Sequence, residues 1–299
     1  EPNRLEMENS AAISTRQVTI KKVQASTSAS FTDMLSVEEP LEIRIGYGPE
    51  NDRQQKNISV TMRTPGNDLE LATGFLFTEG IITSYNDITA VFHTGMECSS
   101  QKQNIVQAEL AEEFTPHLQQ SDRNFYTTSS CGVCGKSSIQ SIRTVSAFHP
   151  LNKPALSIDA DMLYQLPGRL RAAQNNFSAT GGIHACGLFN RSGDLLLLRE
   201  DVGRHNALDK LIGAALMDHA LPLNGHILLL SGRASFELIQ KAAMAGIVMV
   251  AAIGAPSSLA VDLAREFDIT LLGFLKENRF NIYHSGDQLI ISTLYENQD

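Results

Sequence analysis

The second half of the chain is predicted to form a three-layer α/β/α domain, and the first half a smaller α+β domain. Two observations predict the layered domain. Short, uninterrupted apolar runs such as 227–230 and 247–253 are typical of strands that are buried on both faces. Segments with helical spacing of their apolar residues, such as 234–245, lie between these runs. A third observation separates the two domains. The predicted strands of the first half alternate apolar and polar residues, which is typical of strands buried on one face only.

In the first half, alternation predicts strands at 41–45 and 58–62 on either side of a polar hairpin tip. Asp68 is placed to cap a helix over 68–77, and two further strands follow at 88–93 and 104–110. These elements predict an α+β domain over 31–128. The first 30 residues, rich in Ser, Thr, Ala and Gln, are predicted to be a flexible segment with at most a short strand at 18–23.

In the second half, apolar residues at helical spacing predict a helix over 159–175, although Pro167 and Gly168 interrupt the pattern. Strands, helices and turns then follow in short succession to the C-terminus. The predicted strands are 185–189, 195–198, 227–230, 247–253 and 269–275; the predicted helices are 206–217, 234–245 and 257–267. We therefore predict an α/β/α domain over 155–299, joined to the first domain by a mobile connector over 129–154.

Composition excludes several function classes. The 299 residues carry a formal net charge of -9, which argues against binding to nucleic acids or to anionic membrane surfaces. No apolar run is long enough to cross a membrane, and the first residues lack the basic and apolar pattern of a secretory signal. Four cysteines do not make a disulfide framework, so we expect a reducing cytoplasm.

The segment around Cys131 and Cys134 carries the clearest chemistry in the chain. Small polar residues and glycine surround the two thiols, which predicts an exposed, mobile loop. Two thiols at this spacing can bind a metal, close a disulfide, or act as a nucleophile and its helper. No second closely spaced Cys/His pair completes a zinc site, and the preceding Thr and Ser residues do not suit a thioredoxin-type motif. The motif alone leaves the three uses open.

Four loops of the second half bring Gly, His and basic residues to positions near the carboxyl ends of strands, where ligands of open α/β sheets collect. His184 precedes a strand, Arg204 and Arg233 stand at helix starts, and Lys276 and Arg279 follow the last long strand. Helix starts and basic side chains favour an anion, so we predict that phosphate groups bind here. Taken singly, each loop is better explained by an ordinary helix cap.

Other polar residues in these loops have two interpretations each. Glu200 and Asp201 are either an acid/base pair or the residues that hold Arg204, and Asp201 is equally well placed to cap the next helix. His184 and His205 are suited to a polar role, although a lone histidine is more often structural. Cys186 lies in an apolar strand and is predicted to be an inert core thiol.

Several motifs, in the same order, resemble the FdhD family of formate dehydrogenase accessory sulfurtransferases. The most specific is 200–210 (EDVGRHNALDK), and the resemblance extends from about residue 38 to 285. The other matching segments are 71–81, 131–135 (CGVCG), 180–185 (TGGIHA), 231–237 (SGRASFE), 272–276 (LGFLK) and Arg279. The chain departs from the family pattern in reading Lys-Glu-Asn-Arg at 276–279 instead of Lys-Pro-Gly-Arg, and in having Arg199 where a His is often found.

The resemblance implies a cytoplasmic sulfur carrier. Such a protein takes sulfur from a cysteine desulfurase as a persulfide, with Cys131 the usual carrier and Cys134 its companion. It delivers the sulfur to the bis-molybdopterin guanine dinucleotide form of the molybdenum cofactor, which then enters formate dehydrogenase. The family is dimeric and its second domain is cytidine-deaminase-like. Its cofactor-binding loop corresponds to Phe274, Leu275, Lys276, Glu277, Asn278 and Arg279, with Arg233, Arg204 and His184 as our further candidates, and no resident metal is expected.

Two rival functions remain at this stage. A zinc nucleoside deaminase needs His-x-Glu followed by Pro-Cys-x-x-Cys, whereas this chain has Cys186 two residues after His184 and its Cys-x-x-Cys earlier in the sequence. The second rival is a non-catalytic chaperone that binds the molybdenum cofactor and uses the two cysteines as structural zinc ligands.

Overall fold

The computed structural model describes residues 14–94, 104–118, 148, 156–287 and 289–292. Within these ranges the chain forms a six-stranded sheet, a four-stranded sheet and two two-stranded ribbons, with six α-helices packed against them. None of these helices combines the length and the apolar character that a membrane-spanning helix needs. Cys131, Cys134 and nearly all of the predicted connector 129–154 lie outside the described residues.

The described part of the chain begins with an antiparallel hairpin of β1 (Thr15–Gln24) and β2 (Thr27–Ser36). Most of its side chains are exposed, and at its base the Ser36 hydroxyl donates to Asn176 Oδ1 at 2.8 Å. The short strand that the sequence allows at 18–23 is confirmed as part of β1, whereas the second strand of the hairpin, β2, was not predicted. The pattern failed because both faces of this hairpin are largely solvated, so burial imposes little alternation on the sequence.

The four-stranded sheet is built from the first half of the chain and has the strand order β4-β3-β6-β5, with β3 and β6 parallel and the other neighbours antiparallel. Its elements are β3 (Glu39–Tyr47), β4 (Gln54–Arg63), α1 (Asp68–Thr78), β5 (Ile88–His93) and β6 (Ile105–Leu110). Alternate residues of β3 face α1 and are fully buried, as Leu41, Ile43 and Ile45 show. The predicted α+β character of this half is confirmed.

Helix α1 begins at Asp68, as predicted, but Asp68 does not cap it. The preceding residue, Asn67, adopts the left-handed conformation with φ 58°. The Asp68 carboxylate instead accepts two hydrogen bonds from the Arg63 guanidinium, at 2.9 and 2.8 Å, and both side chains are buried. A buried bidentate ion pair thus ties the start of α1 to the end of β4.

The second half opens with β7 (Leu156–Asp159), α2 (Ala160–Ala173) and α3 (Asn175–Thr180). Asp159 caps α2 by accepting a hydrogen bond from Asp161 N at 3.0 Å. Pro167 lies inside α2 without ending it. The helix buries Leu163, Leu166 and Leu170 against the sheet, which are three of the apolar positions that the sequence predicts.

The six-stranded sheet has the order β13-β12-β11-β10-β8-β9, in which β10, β11 and β12 are mutually parallel and the outer pairings are antiparallel. Its strands and helices are β8 (His184–Phe189), β9 (Leu195–Asp201), α4 (Arg204–Met217), β10 (Ile227–Leu230), α5 (Phe236–Met244), β11 (Met249–Ala252), α6 (Ser258–Glu266), β12 (Thr270–Lys276) and β13 (Arg279–His284). The last strand, β14 (Leu289–Ser292), pairs in parallel with β7 outside this sheet.

Helices cover both faces of this sheet. Residues such as Leu228, Leu230 and Val250 belong to the core that includes α4, α5 and α6. Their neighbours Leu229 and Met249 point to the opposite face and pack with α2. The predicted three-layer α/β/α class is confirmed, and the closer likeness to cytidine deaminases is consistent with it.

The two sheets share one hydrophobic core, because α1 lies between the four-stranded sheet and α4. The two helices approach closely at a pair of glycines. A Cβ at Gly74 would lie 1.9 Å from Asp209 O, and a Cβ at Gly213 would lie 1.8 Å from Glu70 O. Glycine is therefore required at both positions, and the small domain is held to the large one by direct backbone contact.

Candidate functional site

The predicted ligand-binding residues of the second half lie at one edge of the six-stranded sheet, except that the side chain of Leu275 is fully buried in the core against α2. The carboxyl ends of β10, β11 and β12 define this edge. Because β8 is antiparallel to β10 and β9 is antiparallel to β8, the amino end of β8 and the carboxyl end of β9 lie there too. The edge carries His184, Arg204, Arg233, Lys276 and Arg279.

These residues form a row along the edge and do not converge on one point. Arg204 follows β9 at one side of the sheet, whereas Lys276 and Arg279 belong to the β12–β13 hairpin at the other side. Four strand spacings separate β9 from β12, which amounts to roughly 19 Å. Arg233, after β10, stands between them. An extended ligand with several anionic groups would fit such a row better than a single phosphate.

Backbone hydrogen bonds join the loops at this edge into a continuous shelf. Gly254 N donates to Gly232 O at 2.9 Å, and Phe274 N donates to Gly254 O at 3.0 Å. A Cβ at Gly254 would stand 3.0 Å from Gly232 O and 3.1 Å from Arg233 Cγ. Glycine at 254 thus allows the aliphatic part of Arg233 to lie across the shelf.

Phe274 adopts an unusual backbone conformation on this shelf. Its φ is 53°, in the left-handed region that a bulky residue rarely enters, and β12 is irregular between Gly273 and Lys276. Its side chain remains 37 % exposed. Strained backbone conformations of this kind cluster at active sites and ligand-binding sites, so Phe274 is a candidate binding residue.

Lys276 and Arg279 form a pair of cations at the tip of the β12–β13 hairpin. They are directly opposite each other in the antiparallel register, with Glu277 and Asn278 as the turn between them. Side chains of directly opposed residues share one face of the ribbon. Both side chains are exposed, so two positive charges stand next to each other at the end of the shelf.

His184 is half-buried at the middle of the edge, and its ring would lie 3.4 Å from a Cβ at Gly232. Burial lowers the pKa of His184, and the nearby positive charge of Arg204 lowers it further. The imidazole is therefore neutral at pH 7 and can donate one hydrogen bond and accept another. An anion bound nearby would offset both effects and favour the protonated form.

A second histidine forms a contact that the sequence does not reveal. His205 Nε2 lies 2.7 Å from Glu237 Oε2 and 3.4 Å from Ser235 Oγ. The hydrogen bond from His205 lowers the pKa of Glu237. Arg204 Nε is buried at the same place and has no hydrogen-bonding partner among the described residues. Glu237 escaped prediction because it lies 32 positions from His205 in sequence, on the first turn of another helix.

Glu200 and Asp201 do not act as an acid/base pair in this structure, nor do they hold Arg204. The Glu200 carboxylate accepts hydrogen bonds from Asn176 N and Phe177 N, both at 2.9 Å, and so caps α3. Asp201 is fully buried and lies 2.7 Å from Lys210 Nζ. Its carboxylate also accepts from Thr64 N and Gly203 N. Asp201 thus fixes the loop that positions Arg204.

The thiols separate into two groups. Cys186 is buried in β8, and burial raises the pKa of its thiol well above the ordinary range, in keeping with the inert role inferred from the sequence. Cys131 and Cys134 lie outside the described residues, so their assigned role stays a prediction. Among the described residues, no group of three or more His, Cys, Asp or Glu side chains is arranged to hold a metal ion.

The chain is similar to known proteins over nearly its whole length. The family model described as the FdhD/NarQ family matches residues 36–290. A relative named sulfur carrier protein FdhD from Mycolicibacterium paratuberculosis is 49 % identical, and the match covers 86 % of this chain and 92 % of the relative. The relative of the same name from Streptomyces coelicolor is 46 % identical, and the match covers 87 % of this chain and 90 % of the relative. In Picrophilus torridus the relative is 42 % identical, covering 87 % of this chain and 93 % of the relative.

One solved structure shares the fold. It is the crystal structure of a putative formate dehydrogenase accessory protein from Desulfotalea psychrophila, with a TM-score of 0.70 and 21 % sequence identity. The match covers 92 % of this chain and 99 % of that chain. At this level of identity the likeness extends to the fold.

Proposed function

The chain belongs to the FdhD/NarQ family, and we propose from that premise that it is a sulfur carrier protein required for formate dehydrogenase activity. The observation that carries the proposal is the similarity to relatives of that name, which reaches 49 % identity over 259 residues, or 86 % of the chain. The basic edge of the six-stranded sheet supports it, because the acidic chain concentrates cations there. The proposed setting is the cytoplasm.

Cys131 is the proposed carrier. Its thiolate attacks the outer sulfur of a persulfide on a cysteine desulfurase, so that a new S–S bond forms on Cys131 and the desulfurase cysteine leaves as a thiolate. Release of that sulfur as HS⁻ requires two electrons. The thiolate of Cys134 can supply them by attacking Cys131 Sγ, which leaves a disulfide between the two cysteines. The acceptor is the molybdenum of a bis-molybdopterin guanine dinucleotide.

The row of residues at the sheet edge is the proposed site for the dinucleotide part of that substrate. Lys276, Arg279 and Arg233 are cations along the shelf, and their positive charges are the partners that diphosphate groups require. Neutral His184 offers a hydrogen bond, and the exposed ring of Phe274 offers a flat apolar surface. The glycines of the shelf let the ligand approach the backbone closely.

Calorimetric titration with GDP tests the phosphate part of this site. We expect Arg233→Ala and Lys276→Ala each to weaken GDP binding by about tenfold, because each removes a charge-assisted contact. Arg265→Ala is the matched control, since Arg265 is an exposed arginine on α6 whose recorded ion-pair partner is Asp262. Unchanged affinity in both site variants would place the nucleotide elsewhere.

Complementation of cells that lack the native protein tests the carrier role. We expect Cys131→Ala to fold and to bind GDP normally, but to leave formate dehydrogenase inactive. Full activation of formate dehydrogenase by Cys131→Ala would refute the persulfide role and favour a non-catalytic chaperone for the molybdenum cofactor. Bound zinc in stoichiometric amount would favour the same alternative.

The proposed active form is a homodimer. Light scattering of the purified full chain should give twice its mass of 32.6 kDa. A monomer that still activates formate dehydrogenase would contradict this part of the proposal.

A further inference from the structure

Two titratable side chains at the sheet edge, His205 and Glu237, take no part in the proposed phosphate site. His205 is the second residue of α4, and Glu237 lies in the first turn of α5. The contact between His205 Nε2 and Glu237 Oε2, at 2.7 Å, joins the starts of these two helices. The imidazole is 20 % exposed and the carboxylate 44 % exposed. This dyad is therefore accessible to a ligand, unlike the ion pairs of the interior.

The contact determines which nitrogen of the His205 ring can exchange a proton with a ligand. The hydrogen bond from His205 lowers the pKa of Glu237, so the carboxylate is ionised at neutral pH. An ionised carboxylate only accepts hydrogen bonds, so Nε2 of the ring carries the hydrogen. Nδ1 is then the nitrogen that can take up or release a proton. A carboxylate that orients an imidazole in this way is typical of general acid–base sites.

The charges around the dyad favour a negatively charged ligand. The positive charges of Arg204 and Lys241 both act on the carboxylate of the dyad, and Asp201 acts on the neighbouring His184. Lys241 and Asp201 are each held in a buried ion pair. Arg204 is not paired in this way among the described residues, and its buried Nε has no hydrogen-bonding partner there. Arg204 is therefore the cation that can meet an anion beside the dyad.

The dyad lies on the same edge of the sheet as the proposed phosphate site, but at a distance from it. The starts of α4 and α5 follow β9 and β10, and two to four strand spacings separate these strands from β12. These spacings amount to roughly 10–19 Å. A long ligand whose diphosphate contacts the β12–β13 hairpin would therefore bring its opposite, metal-bearing end toward the dyad.

We propose that His205 is the general acid of the sulfur transfer and that Glu237 is its positioning residue. The proposal rests on the proposed function, to which it adds a proton donor. Sulfur that arrives as HS⁻ and replaces an oxygen ligand of the molybdenum must convert that oxygen into water. The HS⁻ supplies one proton, and the His205 imidazolium supplies the second from Nδ1. The sulfur stays on the metal as sulfide, water leaves, and this step transfers no electrons.

Transfer from the sulfur-loaded protein tests the role of His205. The full chain is loaded by a cysteine desulfurase and cysteine, separated from both, and mixed at several pH values with the molybdenum cofactor and formate dehydrogenase that lacks it. We expect His205→Gln to slow formate dehydrogenase activation by about a hundredfold, the lower end for loss of a general acid. The parent rate should fall as the pH rises and the imidazolium loses its proton, whereas the rate of the variant should lose this dependence.

Intact-mass measurement of sulfur loading separates this inference from the proposed function. We expect His205→Gln to accept sulfur and to bind GDP as the parent protein does, because the dyad takes no part in either step. Failure of the parent protein to accept sulfur would overturn the proposed function and this inference with it. Normal loading, with an unchanged rate and pH dependence of transfer in His205→Gln, would overturn the inference alone.

Glu237→Gln tests the positioning role in the same assay. The amide keeps the shape of the side chain but no longer favours the protonated ring, so transfer should slow by about tenfold. The pH at which the rate falls should also move downward. Lower stability in urea with an unchanged pH dependence would show a merely structural contact and overturn this role.

His219→Asn is the matched control for both variants. His219 is exposed and lies just beyond the opposite end of α4, with a φ of 54° that asparagine tolerates. We expect this variant to transfer sulfur at the parent rate and with the parent pH dependence. An equal loss of rate in His219→Asn and in His205→Gln would count against a specific role for the dyad.

Discussion

At the scale of single residues, the sheet edge combines exposed cations, which have no ion-pair partner among the described residues, with charges that are already paired. Lys210 and Asp201 form a buried ion pair at 2.7 Å, and Asp201 shapes the loop before Arg204. Lys276 and Arg279 are exposed at the hairpin tip and remain available for a ligand. His184 stands between these groups as an uncharged imidazole. An anion can therefore bind at this edge without first breaking an internal ion pair.

The pKa of His184 supplies a test at this scale. Burial and the charge of Arg204 lower it below the ordinary value of 6.5, so the folded protein binds fewer protons there than the unfolded chain does. Stability should consequently fall as the pH drops through 6.5 and below. We expect NMR titration to show the free His184 ring titrating below 6.5 and shifting upward when pyrophosphate binds. A pKa above 6.5 in the free protein, or no shift with pyrophosphate, would contradict the account.

At the scale of elements, sequence periodicity predicted most strands and helices of the two main sheets, because burial on one or both faces imposes a regular pattern. Helix α2 and strands β10 to β12 show this well. Strands β7, β13 and β14 were not predicted from the sequence, since they are short or exposed and carry no such pattern. The contact between His205 and Glu237 also escaped, because it depends on how α4 and α5 are placed relative to each other.

The crossing of α1 and α4 gives a test at the scale of elements. Gly74→Ala should destabilise the protein by about 3 kcal/mol, because its Cβ would meet Asp209 O at 1.9 Å and the helices would have to move apart. Gly168→Ala is the control, since it lies in the interior of α2 with free space and should stabilise by up to about 1 kcal/mol. Urea denaturation of both variants measures the difference. Equal free energies of unfolding for the two variants would show that α1 and α4 do not pack closely at Gly74.

At the scale of the whole molecule, a buried ionic cluster joins the two halves of the chain. Lys241 Nζ on α5 lies 3.0 Å from Asp209 on α4 and 3.1 Å from Glu79, which follows α1. Burial alone would lower the pKa of Lys241, but the attraction of Asp209 and Glu79 outweighs it and raises the pKa. The lysine therefore stays charged and paired. Together with the shared core, this cluster couples the small sheet to the large one.

This coupling predicts that the described parts of the two halves unfold together. Lys241→Met should cost about 3–5 kcal/mol, because it leaves the carboxylate of Asp209 buried without its partner. We expect urea unfolding to give a single transition that coincides when it is followed by circular dichroism and by tyrosine fluorescence. The tyrosine signal can be read directly because the chain has no tryptophan. Two separate transitions would show that the halves are independent units.

The central claim is that Cys131 carries sulfur, and intact-mass spectrometry tests it most directly. The full chain is incubated with a cysteine desulfurase and cysteine, and its mass is recorded before and after treatment with a reductant. The account predicts one added sulfur atom that reduction removes, present in Cys134→Ala and absent in Cys131→Ala. An unchanged mass in the parent protein, or an added sulfur that persists in Cys131→Ala, would contradict it.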